Sequence, residues 1–130
     1  MAVYKYKKAL LVVTSAVNSN QTGAKHVILE GNHGDAELSF KVWFDLTQAG
    51  GVTSPTVKAK LQTSHDGASW ADVVESTQLA ADGALSEWKV AADIGPFVRV
   101  VTVLGGATLP NHTAAVYLMS HNHFNTKTVS

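Results

Sequence analysis

Thr56-Val57-Lys58-Ala59-Lys60-Leu61-Gln62-Thr63-Ser64 alternates without a break. Val57, Ala59, Leu61 and Thr63 fall on one side; Thr56, Lys58, Lys60, Gln62 and Ser64 fall on the other. Successive side chains of an extended chain point to opposite faces of a sheet, so this stretch predicts a strand with one dry and one wet face. Residues 36–46 repeat the pattern: Leu38, Phe40, Val42, Phe44 and Leu46 alternate with Glu37, Ser39, Lys41, Trp43 and Asp45. Residues 97–104 and 113–120 are apolar on both sides apart from Arg99 and a few hydroxyls. Such strands lie centrally in a sheet, or are covered on their outer side by another subunit. No segment sustains a helical period.

Turn chemistry separates these runs. Gly31-Asn32-His33-Gly34-Asp35, Gly50-Gly51, Asp66-Gly67, Asp82-Gly83, Gly95-Pro96 and Gly105-Gly106 supply residues that tolerate positive φ. The strands predicted between them are 4–14, 26–31, 36–46, 56–64, 70–76, 84–91, 97–104 and 113–121. Regular short strands with glycine-rich turns predict an all-β chain: an eight-stranded antiparallel β-sandwich of jelly-roll or Greek-key type. It is read as a single domain over residues 1–130, with 1–25 an N-terminal arm or edge strand. Residues 76–81 have room for one helical turn, too short to alter the class.

Composition narrows the function. The 130 residues include 45% apolar and 15% charged side chains, ten basic against ten acidic, and no cysteine. A chain of this length buries about two-thirds of the surface its unfolded form exposes, and the low charge argues against disorder. Zero net charge disfavours binding driven by the field of nucleic acid or of an anionic membrane. Without cysteine there are no disulfides, thiolate metal sites or cysteine nucleophiles. Lys5, Lys7 and Lys8 ahead of residues 9–13 outline a secretory leader, but five apolar residues are too few for its core, and a strand is expected instead. No stretch approaches the ~20 apolar residues of a membrane span.

Catalytic constellations are weak. Ser64-His65-Asp66 are sequence neighbours, whereas a triad needs convergence in space and an oxyanion hole. There is no G-x-S-x-G elbow and no Gly-rich loop leading into a helix. Asp72 with Glu75, or Glu87 with Asp93, reads as solvated edge charge. His121 and His123 share a strand face in principle, but the expectation is a solvated polar tail rather than a metal site. Protonating all six histidines would carry the net charge from zero towards +6 near pH 5 and weaken association between like surfaces. The chain is expected not to be an enzyme and to use no cofactor.

Apolar residues in polar rows are more informative. Trp43 shares a predicted face with Lys41 and Asp45, and either a loop or second sheet folds over it or a partner does. Tyr4 and Tyr6 flank Lys5 in a predicted edge strand, whose unpaired backbone groups can take a neighbour but whose lysines also discourage one. Trp70 opens a strand after the Asp66-Gly67 turn, where it either packs over the corner or joins Asp66 in a sugar-binding loop. Tyr4, Tyr6, Trp43, Trp70 and Arg99 are the interface candidates.

With Leu61-Gln62-Thr63-Ser64-x-Asp66-Gly67-x-x-Trp70, then Phe97-Val98-Arg99-Val100-Val101 and a last strand over 114–119, the chain resembles the small jelly-roll capsid decoration (cement) proteins of tailed bacteriophages. The likeness covers roughly residues 57–120. It implies a protein of the virion surface that forms homotrimers, clamps subunits of the major capsid protein, and has no catalytic residues. A tail or neck component of the same virion is a variant of this expectation. A carbohydrate-binding β-sandwich, with Trp70 and Asp66 as its platform, is the alternative from another class.

Overall fold

A computed structural model of the chain describes residues 6–17, 19–30, 40–49, 55–92, 94–106, 111–120 and 124–129. They form nine strands: β1 (Tyr6–Val17), β2 (Lys25–Glu30), β3 (Phe40–Ala49), β4 (Thr56–Ser64), β5 (Ala71–Glu75), β6 (Gly83–Ala91), β7 (Phe97–Gly105), β8 (Asn111–Ser120) and β9 (Phe124–Val129). Two antiparallel sheets result, one in the order β1-β8-β3-β6 and the other β5-β4-β7-β2-β9.

The pairings β1·β8, β2·β7, β3·β6 and β4·β5 nest inside one another. The first four strands therefore fold back on the next four as one long ribbon. The cross-pairings β3·β8 and β4·β7 roll that ribbon into two sheets, which is the jelly roll. The strands expected to be central, β7 and β8, are internal in their sheets, and β1 is an edge.

Alternation does what the residue types dictate. Phe40, Val42, Phe44 and Leu46 of β3 turn inward, as do Val57, Ala59 and Leu61 of β4. All of these except Val57 meet Val98 and Val100 of β7 and Val116 and Leu118 of β8 in one core cluster. Polar side chains also cross the interior. His26 of β2 donates from Nε2 to the Leu10 carbonyl of β1 at 3.3 Å, and His112 Nε2 of β8 bonds Thr102 Oγ1 of β7 at 3.0 Å. Each bond links one sheet to the other.

Two expectations need correction. The C-terminal residues expected as a solvated tail include a ninth strand, β9, which pairs with β2 from Lys25↔Val129 to Glu30↔Phe124. Fully buried Phe124 anchors it, packing edge-on against Phe40 with ring centroids 5.2 Å apart. Residues 76–81 hold no helical turn: Leu79 instead exchanges backbone hydrogen bonds with Val57 at 2.9 and 3.0 Å. A bonded partner strand satisfies those amides better than a single unsupported turn would.

Candidate functional site

The outer face of the β1-β8-β3-β6 sheet is built by register. Trp43 on β3 stands directly opposite Trp88 on β6 and Tyr117 on β8, and Tyr117 opposite Ala9 on β1. One row therefore crosses the sheet as Ala9, Tyr117, Trp43 and Trp88. The next row towards one end reads Lys7, Met119, Lys41 and Val90. Towards the other end lie Ala115, Asp45 and Ser86, then Thr113, Thr47 and Ala84.

Aromatic side chains dominate the middle of this face. The Trp43 and Trp88 rings meet edge-to-face, centroids 5.0 Å apart at 69°. Lys41 Nζ lies 5.9 Å from the Trp88 ring centroid, and Lys7 Nζ 5.1 Å from that of Tyr117. Both ammonium groups thus sit over π faces that attract them. Ser86 Oγ donates to Asp45 Oδ1 at 3.0 Å, and the hydroxyls of Thr47 and Thr113 bond each other. Trp88 is 48% exposed and Val90 65%. Leaving Trp88 half uncovered exposes about 100 Å², worth roughly 2–3 kcal/mol as an upper bound if a partner removes it from water.

The other sheet's outer face is a charge lattice. Lys58 reaches Glu75 and Lys60 reaches Asp72, each at 3.4 Å. Gln62 donates to Asp72 at 2.9 Å and accepts from Arg99 Nε at 2.8 Å. The Arg99 guanidinium lies 4.4 Å from the Trp70 ring centroid, so these two interface candidates form one stacked pair. The Gln62 hydrogen bond, followed by the charge of Lys60, holds the Asp72 carboxyl below its ordinary range. Lys58, Lys60, Gln62, Asp72, Glu75 and Arg99 are thus matched to one another.

The Asp66 corner is also internally satisfied. Ser64 Oγ accepts the amides of Asp66 at 3.2 Å and Gly67 at 2.8 Å, and donates to Asp66 Oδ1 at 2.9 Å. The same Oδ1 accepts the amides of Ala68 at 2.8 Å and Ser69 at 2.9 Å. Gly67 takes φ +78°, which a side chain would strain. Trp70, which follows this turn, leans on Arg99.

Of the candidates, Trp43 lies at the centre of the aromatic row, Trp70 and Arg99 on the opposite sheet, and Tyr6 on edge strand β1, 38% exposed. Tyr4, His33, His121 and His123 lie outside the described residues. Among the described residues no three His, Asp or Glu side chains converge as metal ligands would. Trp88, Val90 and Tyr117 were not identified from sequence. The signal was present in the alternation of 84–91, but their place beside Trp43 depends on which strands neighbour β3. Compared with family models, curated proteins and solved structures, the chain has no significant match.

Proposed function

We propose that the chain is a structural protein of a virion, a capsid decoration protein that self-associates and stabilises the shell of the major capsid protein. The observation that carries this reading is the aromatic row with Trp88 half exposed, and Val90 exposed in the row beside it. Monomers seldom leave such residues contiguous unless another protein covers them. A jelly roll with one outer face centred on aromatic residues and one centred on matched charges suits a stiff block that adheres on one side. The resemblance carried by residues 57–120 points to a capsid lattice as the surface on which it works.

The geometry supports a protein contact over a sugar platform. Two indoles at 69° do not lie flat under one pyranose, and lysines already sit over the Trp88 and Tyr117 rings. Trp70 stacks on Arg99, and Asp66 Oδ1 already accepts three hydrogen bonds. A protein that prefers the assembled shell stabilises it by mass action. The full chain should therefore cosediment with shells assembled from the major capsid protein of the same virion, and raise the temperature at which they come apart. Absence of binding, together with saturable binding on a glycan array, contradicts the proposal.

A further inference from the structure

We infer that the outer face of the β1-β8-β3-β6 sheet pairs with the same face of a second copy, across a two-fold axis that runs along the aromatic row. The inference rests on this face being a protein contact, and adds its occupant. Along β3 the outward residues read Lys41, Trp43, Asp45, a cation and an anion flanking the row at equal spacing. A two-fold axis lying between the sheets along that row reverses strand direction and keeps each strand over its counterpart. Lys41 of one copy then stands opposite Asp45 of the other, twice by symmetry.

The remaining neighbours fit the same operation. Val90, 65% exposed, faces Ser86 of the second copy, so a large residue meets a small one on both sides of the axis. On the axis the aromatic rings meet their own copies, staggered by the roughly 30° offset usual for stacked sheets. Such sheets pack about 10 Å apart, a span that an extended lysine and an aspartate bridge together. A face of four strands about 4.8 Å apart and about 30 Å long covers roughly 600 Å², so two copies remove about 1,200 Å², the lower bound of a stable interface. An axis parallel to the strands would instead set Lys41 on Lys41 and Asp45 on Asp45. The charge order selects the first arrangement.

This face closes on itself at two copies, whereas a three-membered ring needs two different surfaces in contact. The pairing therefore replaces the trimer implied by resemblance. The test is sedimentation equilibrium of the full chain carrying Lys41→Asp or Asp45→Lys. Each reversal sets like charges opposite at both symmetric contacts and weakens pairing by roughly a hundredfold or more. Mixed in equal amounts, the two variants restore opposite charges at both contacts and form a mixed dimer with wild-type affinity. Matching thermal unfolding of the variants checks that the fold is intact. A monomeric wild type, a three-copy mass, variants that pair as wild type does, or a mixture that stays monomeric overturns the pairing. Shell cosedimentation is read separately: a three-copy particle that binds shells removes the two-fold and leaves the decoration reading, and a dimer that ignores shells does the reverse.

Discussion

Asp66 Oδ1 accepts hydrogen bonds from the Ser69 and Ala68 amides and the Ser64 hydroxyl, and these hold its pKa well below the usual carboxylate range. The folded state therefore binds its proton at lower pH than the unfolded chain, whose Asp titrates near 3.8. Stability from this carboxylate is complete above that value and is lost as pH falls below it towards the folded value. Asp66→Asn should melt a few degrees below wild type at pH 7, and the gap should narrow below about pH 4 in thermal scans, because charge-assisted bonds exceed neutral ones. A gap constant across pH would contradict this account of the corner. The turn itself was legible in Ser64-His65-Asp66-Gly67, since Asp and Gly there have local reasons. Trp43 was legible too, as an indole out of place in a row with Lys41 and Asp45. Its companions were not, because alternation assigns a residue to a face without saying which strand lies beside it.

At the scale of elements, β3 and β4 declared themselves because their apolar residues alternate inward: β3 buries every second residue, and β4 buries Val57, Ala59 and Leu61. Strand β9 did not: Phe124-Asn125-Thr126-Lys127-Thr128-Val129 carries one large buried residue and a polar remainder, as suits an edge. Edge strands need only one dry contact, so their composition resembles that of a loop. Phe124 is that contact. Phe124→Ala should lower unfolding free energy by about 3–5 kcal/mol in urea titrations, from the lost transfer energy and the cavity left against Phe40. A loss below ~1 kcal/mol would show that β9 is peripheral to the core. Strand order was the least legible feature, because nested pairing joins residues far apart in sequence, such as Lys7 and Met119.

For the whole molecule, the two outer faces differ in kind. One pairs Lys58, Lys60, Asp72, Glu75, Gln62 and Arg99 among themselves beside exposed Val103 and Leu29; the other leaves Trp88 half exposed and Val90 more so, beside Trp43, Lys41 and Asp45. With zero net charge the chain has little long-range repulsion to keep copies apart, so on the proposed reading the aromatic face governs association. The three tryptophans report on this difference directly, two on the aromatic face and Trp70 on the other sheet. Hydroxyl-radical footprinting of the full chain, read by mass spectrometry in dilute and in concentrated solution, measures each one separately. Trp88 and Trp43 should become protected as copies assemble while Trp70 labels at the same rate throughout. Equal labelling of all three at every concentration, or protection confined to Trp70, would contradict the assignment of the aromatic face as the surface through which this protein assembles.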